Sequence, residues 1–156
     1  MYGAIMSPQR GCEMTQDWLA RIDHIGIAAT DLDASERFWR LLGLIPAGED
    51  EVIEDQEVRV RMLPLESDNG RAARIELLQS TSADGPIARF IEKRGIGIQQ
   101  ICLCINGLDA LLDHLDENGV QLIDRTPRLG AEGQRIAFVH PSSTGGVLVE
   151  LTEGTT

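Results

Sequence analysis

Four side chains in this sequence have the types and spacing of a metal site: His24, Glu76, Gln100 and Glu150. They come as two pairs. His24 lies 52 residues before Glu76, and Gln100 lies 50 before Glu150. Each pair offers one imidazole or amide and one carboxylate. An internal repeat makes the pairs equivalent. An offset of 76 places His24 on Gln100, Leu32 on Leu108, Asp33 on Asp109, Ala34 on Ala110 and Gly43 on Gly119. Ile75-Glu76-Leu77 then matches Val149-Glu150-Leu151. Taken singly, either glutamate reads as an outward strand residue in an ion pair. Taken as a symmetric quartet, the four suit an octahedral divalent ion with two open positions. Cobalt leads the candidates, with manganese, nickel, magnesium and zinc behind it. An ion with open positions is a Lewis acid, able to stabilise the negative charge left when a proton departs from carbon.

The elements that must hold these groups follow from periodicity. Ile22 to Ala29 reads as a strand. Ile25 and Ile27 share one face, while His24, Gly26 and Ala28 share the other. The second face carries a histidine followed by two very small residues, which leaves room for something other than protein. In the repeat, Ile101, Leu103 and Ile105 share one face and Gln100, Cys102 and Cys104 the other. Close packing alone explains the small residues. It does not explain a polar residue at the same place in both halves.

Helices follow each of these strands. Thr30-Asp31-Leu32-Asp33 reads as a capping box, with Ala34, Phe38, Leu41 and Leu42 at helical spacing and Gly43 closing the helix. The second helix starts within Asn106 to Asp109 and ends at Gly119. Three strand-like segments come next in each half. They are 44–51, 57–64 and 73–79 in the first, and 120–124, 134–140 and 147–152 in the second. Loops are expected at 66–71, 127–133 and 141–146. Between the halves, Pro86 starts a short helix that Gly95 ends. The expected fold is α+β: two tandem βαβββ modules forming a curved, half-open sheet around the metal. Residues 1–19 read as an N-terminal extension, 20–80 as module one, 84–95 as the linker helix and 96–153 as module two.

The totals narrow the function classes. A chain of 156 residues fits one ordinary domain, large enough to bury about two-thirds of its unfolded surface. The formal net charge of −11 disfavours nucleic acid, which demands clustered Lys and Arg. Arg125, Arg128 and Arg135 are the candidates for a phosphorylated ligand, and a solvated loop is the simpler reading of them. Three cysteines make no disulfide framework and suggest a reducing, cytoplasmic setting. The first twenty residues lack a basic region followed by an apolar core, so no secretory signal is expected. No apolar run approaches the ~20 residues that span a bilayer. His114 reads as a surface residue, and His140, before Pro141, as a turn residue.

With these residues in place, the chain resembles the vicinal oxygen chelate (glyoxalase-like) superfamily. It is most similar to the methylmalonyl-CoA epimerase branch. The stretches that carry the likeness are 23–28 (DHIGIA), 75–78 (IELL), 82–91 (SADGPIARFI) with 93–95 (KRG), 136–141 (IAFVHP) and 145–151 (GGVLVEL). The resemblance implies that His24, Glu76, Gln100 and Glu150 ligate the metal. It also implies that Glu150 and Glu76 exchange the α-proton of a CoA thioester, an acyl-CoA being the substrate partner, and that the protein is a homodimer. Two departures stand out. Many epimerases of the branch have His-His where this chain has Gln99-Gln100, and amide oxygen is a weaker, harder ligand than imidazole. Some carry an additional acidic residue at the position of Val60. Two other readings stay open: a lactoylglutathione lyase-type isomerase, and a non-catalytic small-molecule-binding member of the superfamily.

Overall fold

In the computed structural model, described for residues 18–66 and 72–154, eight strands form one sheet in the order β2-β3-β4-β1-β5-β8-β7-β6. The first half supplies β1 (Arg21–Ala29), β2 (Glu51–Ile53), β3 (Val58–Pro64) and β4 (Arg74–Ser80). The second supplies β5 (Gly97–Ile105), β6 (Arg128–Leu129), β7 (Arg135–Val139) and β8 (Leu148–Glu153). The strand order reads the same from either edge. β1 and β5 run antiparallel at the centre, and each pairs in parallel with the last strand of its own half, β4 or β8. This is the paired βαβββ, α+β architecture expected, with the sheet curled into a half-barrel. No helix among the described residues is long and apolar enough to cross a membrane.

Alternation along the strands builds the two faces. Ile75 and Leu77 of β4 point outward to α1 (Leu32–Leu41), packing with Ala29, Leu32 and Leu63. Ala137, Val139 and Leu151 do the same beneath α3 (Leu108–Glu117), against Leu108, Leu111 and Leu112. The residues between them, Glu76 and Leu78 on β4, Phe138 on β7 and Glu150 on β8, line a cavity on the inner face. There Ile87 of α2 (Pro86–Arg94) closes over Val58, Val60 and Leu78.

The helix ends differ in detail from expectation. Asp31, one residue later than the capping box would place it, caps α1 by accepting from the Ala34 amide at 2.6 Å. At α3 the cap comes from another element: the Glu153 carboxylate of β8 accepts from the amides of Gly107 (2.9 Å) and Leu108 (3.1 Å). The short strands also move. Segment 44–51 is strand only from Glu51, because Pro46 and Gly48 break the ladder before it. Segment 120–124 forms no strand. Leu122 makes one isolated bridge to Val139, and the β7 edge is instead extended by β6, inside a stretch expected to be loop. The turn expected at 66–71 falls almost wholly outside the described residues, as does most of the N-terminal extension.

Two packing features have measurable consequences. Arg61 of β3 lies between α1 and the 44–50 loop, donating to Asp50 through Nε (2.6 Å) and Nη2 (2.8 Å), to Asp33 (2.8 Å) and to the buried Glu36. The Arg61 hydrogen bonds hold the Asp50 carboxyl below its ordinary pKa. A depressed folded pKa gives stability that is present above the unfolded value of ~3.9 and lost as pH falls through the folded one. Asp50→Asn should therefore destabilise at pH 7, and the gap from wild type should shrink as denaturation is repeated at successively lower pH. The second feature is Gly26. A Cβ there would sit 2.6 Å from Gln100 Cγ and 3.1 Å from Leu78 Cδ1. Gly26→Ala is expected to cost about 1–3 kcal/mol in chemical denaturation by overpacking. A neutral result would mean that Gln100 is free to move aside.

Candidate metal centre and active-site cavity

The four expected residues meet. His24 stands on β1, Glu76 on β4, Gln100 on β5 and Glu150 on β8, and all four are buried. His24 Nε2 is 3.2 Å from Glu76 Oε2 and 3.7 Å from Glu150 Oε2. The Gln100 amide nitrogen donates to Glu76 at 3.3 Å and, more closely, to Glu150. Glycine at 26, opposite Gln100 in the β1–β5 ladder, gives the Gln100 side chain its space.

Two bulges make this convergence possible. The β1–β5 register slips once between Ile22 and His24, passing over Asp23, and once between Gly26 and Ile27, where the partner strand passes over Gln99. Asp23 and Gln99 are equivalent in the repeat. Bulges re-aim side chains. Gln99 and Gln100, though consecutive, therefore both line the cavity. Asp23 turns its carboxylate onto the neighbouring imidazole and accepts from His24 Nδ1 at 2.9 Å. Arg74 donates to the same Asp23 oxygen at 2.7 Å. With Nδ1 committed to Asp23, Nε2 is the ring nitrogen presented to the carboxylates.

Electrostatics distinguishes the roles. The Asp23 carboxyl is held well below the usual range, first by the His24 hydrogen bond and then by Arg74. Burial opposes the imidazolium of His24, but the Nδ1 hydrogen bond to Asp23 and the nearness of Cys102, Glu150 and Glu76 outweigh it and raise its pKa. Burial is the main cause that raises Glu76. The Cys102 thiol is pushed up to about 12 by burial.

These groups fit a divalent cation. Nε2 of His24 is buried and makes no hydrogen bond of acceptable geometry, although two carboxylates lie close by. Two buried carboxylates held this close repel each other unless a positive charge stands between them. His24, Glu76 and Glu150 would supply one nitrogen and two oxygen donors for such an ion. Gln100 would add its amide oxygen once the amide is turned over from its present hydrogen bonds. The ion would displace the proton from Nε2. Asp23, His24 and Cys102 also bring potential ligand atoms within 4.8 Å of one another. That trio is a weaker candidate. Asp23 is already engaged by Arg74 and by His24 Nδ1, which also ties up that ring nitrogen.

The cavity beside the quartet measures about 400 Å³. Val58, Val60 and Leu78 wall one side, and Ile136, Phe138 and Leu148 the other. Arg128 departs from its reading as a solvated loop residue: it lines this cavity, with its guanidinium 5.3 Å from the Phe138 ring centre. Arg125 and Arg135 stay outside, paired with Asp116 and with Asp109 and Glu153. His114 packs against Trp18, and His140 caps the 3-10 turn at Pro141–Ser143. The sequence reading missed Asp23, Gln99 and Arg74. The repeat held a signal for the first two, since each directly precedes a predicted ligand. Arg74 had none.

Comparison with known proteins places this geometry. Residues 23–138 match the family model of the Glyoxalase/Bleomycin resistance protein/Dioxygenase superfamily. An uncharacterised Bacillus subtilis protein, YqjC, is 42% identical over 134 residues, covering 85% of this chain and 91% of its own. The ethylmalonyl-CoA/methylmalonyl-CoA epimerase of Cereibacter sphaeroides is 34% identical over 139 residues, covering 86% of this chain and 98% of its own. A Streptomyces coelicolor methylmalonyl-CoA epimerase variant, solved with 2-nitronate-propionyl-CoA, superposes with a TM-score of 0.80 at 37% identity, covering 87% of this chain and 95% of that one. The family model spans more than half of the chain, and this chain belongs to the glyoxalase/bleomycin resistance protein/dioxygenase superfamily.

Proposed function

We propose that this chain is a metal-dependent epimerase that interconverts the 2R and 2S forms of methylmalonyl-CoA or of a closely related 2-substituted malonyl-CoA. One observation carries the reading. Glu76 and Glu150, from equivalent strands of the two halves, reach a single buried point beside His24 Nε2 and open onto one cavity. The relatives that act on malonyl-CoA thioesters support the substrate class.

His24, Glu76, Gln100 and Glu150 would hold a divalent cation, with cobalt the first candidate. When bound, it would supply Lewis-acid stabilisation for the negative charge that develops on the thioester oxygen. The protein's own groups move the proton. Inverting C2 needs a base on one face and an acid on the other. The carboxylate of Glu150 takes the α-proton. Glu76, which carries a proton only when it is not ligating the cation, returns a proton to the opposite face of the carbon. The product then has the inverted configuration, and proton exchange between the two carboxyls resets the site. Val60 is buried and apolar, so no acid at that position shares the work. The apolar walls at Val58, Leu78 and Phe138 exclude water from the carbanion.

Cys102 and Cys104 are both free thiols, in keeping with a reducing, cytoplasmic setting. A homodimer accompanies the family resemblance.

The test is proton exchange at the α-carbon in heavy water, followed by NMR with methylmalonyl-CoA and added cobalt. Exchange should require metal, stop with a chelator and fall about 10²–10⁴-fold in Glu150→Gln. Absence of exchange with every candidate metal would overturn the reading. Turnover of the methylglyoxal–glutathione adduct would then favour the lyase, and ligand binding without turnover the non-catalytic reading.

A further inference from the structure

A line of contacts runs from the edge of the half-barrel to His24, and the mechanism above does not use its outer members. Glu132 lies in the short turn between β6 and β7, next to Ala131, which lines the cavity. Its backbone amide donates to the Glu51 carboxylate of β2 at 2.9 Å, across 81 residues of sequence. Its side chain accepts from Arg74 Nη1 at 2.7 Å. The other end of the same guanidinium, Nη2, donates to Asp23 at 2.7 Å, and Asp23 accepts from His24 Nδ1 at 2.9 Å. One arginine therefore bridges a carboxylate of the second half and the carboxylate that orients the histidine of the first.

Two features set this apart from an ordinary surface ion pair. Glu132 has φ 55° and ψ 22°, the left-handed region that a non-glycine residue adopts only at a cost. The turn also packs closely on β7: a Cβ on Gly130 would meet Ile136 Cδ1 at 2.7 Å. The Glu132 side chain is 48% exposed, so its pairing contributes little to stability. The contact has a geometric consequence instead. Arg74 is a planar fork held at both ends, which fixes where it presents Nη2 to Asp23.

We propose that Glu132 and Arg74 are positioning residues for the metal site, tying the cavity-wall turn 130–133 to the orientation of the His24 ring through Asp23. This rests on the reading of His24 as a metal ligand. Neither residue touches the cation or the substrate. Losing Glu132 frees one end of the Arg74 fork, loosens Asp23 and leaves the imidazole less ordered.

The test compares wild type with Glu132→Gly, Glu132→Gln and Arg74→Lys, with two readouts. The first is cobalt affinity, titrated by its visible absorption. Glu132→Gly should weaken binding about tenfold, at the low end of the 10–100-fold losses seen for partners of metal ligands. Its melting temperature should hold or rise, because glycine adopts the left-handed conformation freely. Glu132→Gln keeps an acceptor and should lose less. Arg74→Lys cannot reach both carboxylates as a fork and should resemble Glu132→Gly. The second readout is the His24 Nδ1 proton in the metal-free protein, observed by nitrogen-edited NMR. It should be protected from exchange in wild type and lose that protection in Glu132→Gly and Arg74→Lys. Unchanged cobalt affinity together with an unchanged Nδ1 proton would overturn the proposal. If wild type takes up no cobalt, the metal reading falls separately, and the Nδ1 proton still decides whether Glu132 orders His24.

Discussion

The structure depends on two carboxylates buried side by side. Glu76 and Glu150 would each be costly alone in an apolar interior, and together they repel. What surrounds them reads as an answer to that cost. Gln100 directs its amide protons at both. His24 turns Nε2 toward both, and Asp23 fixes which nitrogen it turns. Gly26 stays small to admit Gln100. A divalent cation would complete the compensation, and the same concentration of negative charge that invites it makes the site a proton acceptor.

Duplication is the economical way to build such a place. Two copies of one βαβββ unit, joined β1 to β5, bring equivalent strands together at a quasi-twofold seam. Each copy contributes a first strand with a bulge before its candidate ligand and a last strand with a glutamate. The halves have diverged at the bulge. The first copy keeps Asp23 to steer an imidazole, whereas the second presents Gln99 to the cavity.

This history explains what could be read from the sequence. The quartet was legible because the repeat spells it twice and strand periodicity places each member on one face. The helix spans were legible because capping residues and glycine stops are local, but the face α1 buries was not. Phe38, Leu41 and Leu42, read as its apolar stripe, are exposed, and the helix buries Leu32 and Glu36 instead. The edge strands were not. β2 and β6 are three and two residues long, set by which backbone the curled sheet brings alongside rather than by propensity. Segment 120–124 has strand composition, yet it pairs with β7 only around Leu122, where the ladder is too brief to extend. The cap of α3 was hidden because Glu153 reaches it from another element. The Arg74 contacts with Asp23 and Glu132 join residues 51 and 58 apart, and no local pattern announces such a pair.

The central claim is that His24, Glu76, Gln100 and Glu150 ligate one metal ion. X-ray absorption at the cobalt edge of the loaded protein tests it most directly. The account predicts a shell of nitrogen and oxygen only, with the outer-shell scattering of a single imidazole. A sulfur neighbour would place the ion on Cys102 and the Asp23 side of the histidine, and a shell without imidazole would remove His24. Either result would contradict the account.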